Sequence, residues 1–299
     1  MGRRGGTDGP DGLAVIDKAA AWTSHDVVAR ARGLLATRKV GHSGTLDPDA
    51  TGVLLLGVGK VTRLLRFLGL TSKRYSGVVV LGTSTASLDA SGEVTGSWDM
   101  AGISVAEVRA AATAFTGDIL QVPPMVSAVQ IDGRRLHELA RAGIEVEREP
   151  RPVTVHSLVV GDPIGPGWFP IQVECSSGTY IRSLAADIGA ALGGGAHLRD
   201  LRRTGIGSFS LDDAIPLEAL TPDALLSPAD AMRDLSAVTV DEAVAADVAH
   251  GKVLPFAIFE VDAEATGPWA VLSSHGSLLA VYERHRDDTV KPSVVLVGA

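Results

Sequence analysis

Apolar residues fall along this chain in two rhythms. Leu13-Ala-Val-Ile16, Val53-Leu-Leu-Leu56 and the valine-rich run Tyr75 to Leu81 are short and nearly uninterrupted, which predicts buried strands. Ile171, Val173 and Cys175 alternate with polar residues, the period of a half-buried strand that carries Cys175 as a small core residue. Elsewhere the spacing is helical. Val27, Val28, Ala31 and Leu35 lie on one side of a helix over residues 24–36, and Val61, Leu64, Leu65 and Leu68 recur at i, i+3, i+4, i+7. Ser104-Val-Ala-Glu107 is a capping box that opens a helix over 105–115, with Val108, Ala112 and Phe115 inward. Leu184, Ile188 and Leu192 mark another helix, stopped by Gly193-Gly-Gly195. Strands and helices that mix without regular alternation predict an α+β core, a mixed sheet flanked by helices.

Punctuation divides the chain. Residues 1–12 hold charge and glycine without an apolar stretch, so a disordered leader is expected rather than a signal or transit peptide. A main domain over 13–227 follows, interrupted at 123–153 by a segment with prolines at both ends and a short basic helix over 133–143. Ser227-Pro228 to Ser236 reads as a boundary. Residues 236–299 are acidic, and short apolar segments (Ala270 to Leu272, Leu279 to Tyr282, Val294 to Val297) predict a small β-rich domain. No apolar run approaches the ~20 residues of a membrane-spanning helix. A single cysteine excludes an intramolecular disulfide and a cysteine-rich metal cluster, which fits a cytoplasmic protein.

Charge changes this picture by its distribution. The 299 residues carry −8 in total, yet residues 1–80 hold 12 Lys/Arg against 6 Asp/Glu, a balance of +6 that leaves −14 for the remainder. Arg30, Arg32, Arg38, Lys39, Lys60, Arg63, Arg66, Lys73 and Arg74 surround one loop, a concentration that suits a polyanion. Arg63 and Arg66 fall off the apolar helical face, so both are expected to be available to phosphate.

That loop is Gly41-His42-Ser43-Gly44-Thr45-Leu46-Asp47-Pro48-Asp49-Ala50-Thr51-Gly52. Its glycines permit tight turns and close approach, and Pro48 pushes Asp47 into an extended conformation. Asp-Pro with nearby Gly is also ordinary turn chemistry. The whole pattern resembles the catalytic motif of the pseudouridine synthases, specifically the bacterial tRNA pseudouridine-55 synthase (TruB) family, G-H-x-G-x-L-D-P-x-A-x-G. Strong resemblance covers residues 13–215, and the tail is similar to a compact RNA-binding PUA domain. The family reading implies a pseudouridine synthase core with a mainly antiparallel sheet, and makes 123–153 a mobile thumb that closes over RNA.

The resemblance also implies roles. Asp47 is the nucleophile or, alternatively, the promoter of elimination. A carboxylate in a dry pocket needs a cation partner, and the family's Gly-Thr-Tyr-Ile-Arg segment supplies Arg182, with Tyr180 expected to share its face on an extended segment. Tyr75 of Lys73-Arg74-Tyr75 is implied as the base-stacking residue and a proton-transfer group, Tyr180 and Leu201 as neighbours of the flipped nucleotide, and His42 as a residue stacking within the T loop. Lys60, Arg63, Arg134, Arg135 and Arg141 are expected to grip RNA. Flipping a base costs a few kcal/mol and an aromatic platform returns ~1–3 kcal/mol, so an aromatic in the pocket is required on energetic grounds. One departure is that Thr85-Ala86-Ser87 stands where the family commonly has Thr-Asp-Thr; Asp89 remains as an acceptor near the site.

The expected substrate is the T stem-loop of tRNA, with no cofactor, no metal and a monomeric protein. Gly57-Val-Gly59-Lys60 is not a phosphate loop, since Leu54 and Val61 occupy the places of its required Gly and Ser/Thr. Two alternatives stand beside the enzyme: a noncatalytic tRNA-folding module, and a guide-RNA-dependent synthase, the latter disfavoured by the thumb-like insertion and the lack of a long basic tail.

Overall fold

The computed structural model describes residues 9–127, 129–131 and 133–297, with the backbone alone for Ile131, Arg135 and His137. Residues 1–8 of the expected leader lie outside the described residues. Its end is ordered: Lys60 N–H donates to Asp11 Oδ1 at 2.6 Å, and Gly12 already starts the first strand.

The apolar run at Leu13 becomes β1 (Gly12–Lys18), and Thr23 caps α1 (Ser24–Leu34) in a reciprocal capping box with Asp26. β2 (Val40–Ser43) and β3 (Thr51–Val58) follow, then a 3₁₀ turn over Gly59–Leu64 that runs into α2 (Leu65–Leu70) and β4 (Lys73–Leu81). The helical spacing of Val61, Leu64 and Leu68 was therefore correct for burial, but half of it is wound as 3₁₀. A small hairpin, β5 (Thr83–Thr85) and β6 (Val94–Ser97), precedes α3 (Val105–Thr113), whose Ser104–Glu107 capping box is present. After β7 (Gly117–Gln121) the insertion folds as a second hairpin, β8 (Gln130–Ile131) with β9 (Arg134–Arg135), and α4 (Leu136–Arg141). It closes earlier than expected. Arg151, Pro152 and Val153 already belong to β10 (Arg151–Val160), paired in register with Gln121, Leu120 and Ile119.

β11 (Trp168–Cys175), α5 (Ile181–Ala191) and β12 (Ala196–Ile206) complete the centre, flanked by β13 (Phe209–Ser210) and β14 (Ile215–Pro216). The main sheet has the order β14-β1-β3-β12-β4-β11-β10-β7, with antiparallel neighbours except at β1·β14 and β3·β12. One cluster packs Val108 and Ala112 of α3 and Leu184 and Ile188 of α5 with Val79 and Ile171 of the sheet, and a second joins α1 to Ile16, Leu54 and Leu56. This is the α+β core with a mixed sheet that the patterning predicts, and its mainly antiparallel pairing is what the resemblance implies.

Beyond α6 (Pro228–Ala231) a separate five-stranded sheet forms in the order β15-β17-β18-β19-β16, from β15 (Ser236–Val240), β16 (Leu254–Pro255), β17 (Trp269–Ser273), β18 (Leu278–Arg284) and β19 (Thr289–Val295), with α7 (Glu242–Ala249) against it. The two parts share a core: Val61, Leu64 and Leu68 pack with Ala270, Leu278 and Val281. Arg63 Nη1 donates to Val295 O at 2.6 Å and Arg66 Nη2 to Ser293 O at 2.7 Å. Both arginines stay exposed while they donate across the junction to backbone carbonyls of β19.

Candidate active site

The loop that carries Asp47 is the crossing of a hairpin. β2 pairs antiparallel with β3, from Val40 opposite Val58 to Ser43 opposite Leu55, and residues 44–50 leave the sheet at the free end. Gly44 turns at φ +81°, and Gly52 at φ +99° lies so close to β12 that a Cβ would meet the Arg203 carbonyl. Four anchors then hold the loop. Leu46 is buried and donates its N–H to Ser24 Oγ at 2.9 Å; Ala50 N–H reaches Asp47 O at 3.2 Å. Lys18 donates to Pro48 O at 2.9 Å, and Arg203 bonds Gly44 O at 3.1 Å and Val53 O at 2.7 Å.

Asp47 itself meets a fork. Arg182 Nε lies 2.9 Å from Oδ2 and Nη2 3.2 Å from Oδ1, a two-point guanidinium–carboxylate pair. Arg182 is 4% exposed, and its remaining donors reach Ser87 O and Val126 O, both at 2.8 Å, so its orientation is fixed from the insertion and from the β5–β6 turn. Asp47 keeps 37% side-chain exposure, the face open to the cavity. Burial pushes its pKa above the ordinary carboxylate value, Arg182 opposes this, and the nearby Asp89 adds to it. Asp89 Oδ2 stands 3.7 Å from Arg182 Nε while Oδ1 accepts from the Ser87 and Ser91 hydroxyls.

Two adjoining cavities share Asp47, Arg182 and Leu201. The smaller, about 280 Å³, also contains Tyr75 and Tyr180, so five sequence-derived residues converge there. Tyr75 is 9% exposed on β4, and burial raises its pKa while Arg203 opposes. Leu201 reaches the cavity through an irregularity of β12, where the register with β4 shifts between Arg199 and Arg202 and Asp200 adopts φ +53°. The larger cavity, about 400 Å³, extends past Asp89 to Leu198 and Arg199.

Tyr180 and Arg182 do not lie on an extended segment, contrary to the sequence expectation. Tyr180 is the N-cap of α5 and Arg182 sits in its first turn. Gln121 bonds the Tyr180 backbone twice, accepting from its N–H at 2.7 Å and donating to its carbonyl at 3.0 Å. His42 is not a lining residue of either cavity: it packs edge-on against His25 with ring centroids 5.4 Å apart, and burial first, then His25 and Arg203, push its pKa down. Lys60, Arg134 and Arg141 are exposed and away from both cavities, and the Arg135 side chain lies outside the described residues.

Sequence reasoning missed Lys18, Lys73 and Arg203 as parts of the site. All three are buried, at 1%, 5% and 1% exposure. Lys73 donates to Gly69 O and Thr71 O, and burial lowers the pKa of Lys73 and of Lys18 to about 8. A charged residue in a basic stretch gives no sign of burial, so no local signal separates these three from solvated neighbours.

A recessed aspartate gripped by an arginine, beside a buried tyrosine and at the edge of a mixed sheet, defines a pseudouridine synthase fold and site. Residues 32–181 match the N-terminal domain of the TruB family of pseudouridylate synthases, and residues 182–240 match the tRNA pseudouridylate synthase B C-terminal domain. The chain belongs to the TruB family. It is 44% identical to the tRNA pseudouridine synthase B of Thermobifida fusca over 97% of this chain and 99% of that one. The Rhodococcus jostii protein of the same name is 53% identical over 71% of each chain. Among solved structures, the Cbf5–Nop10–Gar1 complex matches with a TM-score of 0.74 at 26% identity, over 96% of this chain and 84% of that one.

Proposed function

We propose that this chain isomerises uridine to pseudouridine in the T loop of tRNA, at uridine 55, by flipping the base into the smaller cavity. The observation that carries this is the pairing of Asp47 with Arg182 inside a cavity that also holds Tyr75, within a chain 44% identical to a tRNA pseudouridine synthase B over nearly its whole length. Arg182 keeps Asp47 ionised against the cost of burial, and the ionised carboxylate engages the ribose as the glycosidic bond breaks. Tyr75 offers a face to the extruded base, and Tyr180 and Leu201 confine it. The chemistry is an isomerisation that calls for no redox agent, metal or phosphate donor.

RNA is gripped by the basic first 80 residues and by Arg134, Arg135 and Arg141 of the thumb-like insertion, with His42 stacking in the T loop and residues 236–299 serving as a PUA-like accessory domain. The protein acts as a cytoplasmic monomer. Incubation of the purified chain, alone, with unmodified tRNA followed by nucleotide-resolution mapping of pseudouridine tests the reading. Product at position 55 without added guide RNA is expected. The guide-dependent and noncatalytic alternatives each require none. Asp47→Asn is expected to abolish product while tRNA affinity, measured by filter binding, stays within about threefold, because the amide keeps the shape and loses the charge.

A further inference from the structure

Lys73 and Arg203 line the smaller cavity from behind Tyr75, and both are almost wholly buried. Their side chains are neighbours: a Cβ at Gly44 would stand 3.5 Å from Arg203 Nη1 and 3.5 Å from Lys73 Cε. Among the described residues no ion pair joins either cation to a carboxylate; their hydrogen bonds go to the carbonyls of Val53, Gly44, Thr45, Gly69 and Thr71, and Arg203 also bonds the Tyr75 side chain. Asp47, the carboxylate in the same cavity, is committed to Arg182. Two like charges held together out of water are costly unless something compensates them. Carbonyl dipoles do so in part, and an anion in the cavity would do so in full.

Resting on the isomerase reading above, we propose that Arg203 and Lys73 form a cationic wall that stabilises the detached uracil as an anion. When the C1′–N1 bond breaks, its electron pair stays on the base and spreads over N1, O2 and O4. The base turns, C5 bonds to C1′, the C5 proton leaves and N1 takes one up, so atoms and charge balance over the cycle. The negative charge exists only between the two bond events, so a fixed positive wall favours that state over the neutral substrate. Carbonyl anchors hold both cations in place, so nothing has to reorganise as the charge develops. The proton on Lys73, whose pKa burial and Arg203 depress to about 8, then sets an alkaline limit to the wall.

The test uses the full chain and two free bases of nearly the same shape, 5-nitrouracil, ionised at neutral pH, and uracil, neutral there. Calorimetry is expected to show 5-nitrouracil binding at least about tenfold more tightly than uracil, about 1.4 kcal/mol, with the preference fading above pH 8. Arg203→Lys, which keeps the charge, is expected to retain the preference, and Lys73→Met to reduce it severalfold while circular dichroism shows the fold intact. Equal affinity for the two bases, or no binding of either up to about 10 mM, overturns the wall. A chain that modifies tRNA yet fails this test loses the wall alone; a chain that makes no pseudouridine loses the isomerase reading.

Discussion

At the scale of single residues, the site is a balance of three charges. Asp47 is pulled toward protonation by burial and by Asp89, and toward ionisation by Arg182. In the proposed reaction the carboxylate is the active form, so activity is expected to fall as pH drops through a pKa that lies above that of an exposed aspartate. Asp89→Asn removes a like charge and leaves Arg182 more fully to Asp47. Both effects lower the Asp47 pKa, so the acid limb of the pH–rate profile is expected to move to lower pH; single-turnover assays across pH read this directly. A shift upward, or none, would show that Asp89 does not act on Asp47 electrostatically. Asp47 and Tyr75 were legible because motif and neighbours fixed their chemistry. Lys18, Lys73 and Arg203 were not, since a buried cation and a solvated one look alike along a chain.

At the scale of elements, the loop and the insertion show how strands create a site. The catalytic loop protrudes because β2 and β3 pair up to Ser43 and Leu55 and then part, and β12 meets β3 with Gly52 against Arg203. Arg182 donates to Val126 O at the base of the insertion, and Ser183 Oγ donates to Val122 O just before it. It is thereby continuous with the catalytic pair, and movement of its base would be felt at Arg182. The exposed Arg134 and Arg141, with Arg135 beside them in sequence, give a prediction. Replacing the three by alanine is expected to weaken tRNA binding and to lower the slope of log affinity against log salt by up to about three units, one per lost phosphate contact. Filter binding over a salt series measures both. Unchanged affinity with unchanged slope would remove the insertion from the RNA interface. Periodicity found α1, α3 and α5 but not α6 or α7, and it could not foresee that the basic segment spends its first residues on a hairpin, or that Arg182 lies in the first turn of a helix with Tyr180 at its N-cap.

At the scale of the whole molecule, charge and packing divide differently. The C-terminal sheet answers its own cations: Lys252 pairs with Asp247, Arg284 with Asp288 and Lys291 with Glu283. The net positive balance lies instead in the first 80 residues, where the proposed RNA grip is centred together with the insertion arginines. The sheet is nonetheless bound into the protein, since Leu278 and Val281 pack with Val61, Leu64 and Leu68 and Arg63 and Arg66 cross the junction. Leu278→Ala, at a 5% exposed site, is expected to cost about 2–5 kcal/mol and to lower the unfolding midpoint of the whole chain as one transition. Calorimetry showing an early separate transition of the C-terminal sheet alone would mean that the shared core does not couple the two parts.

The sequence by itself determined the α+β class, the capping box that opens α3 and the loop whose glycines and Asp-Pro step present one carboxylate, because periodicity, caps and turn residues act over a few neighbouring positions. Only the tertiary structure decided that His42 faces His25, that Arg63 and Arg66 serve the domain junction, and that Lys73 and Arg203 stand buried behind Tyr75. Those outcomes depend on which segments meet after folding. Burial of a charge is a property of that meeting and leaves no trace in local pattern.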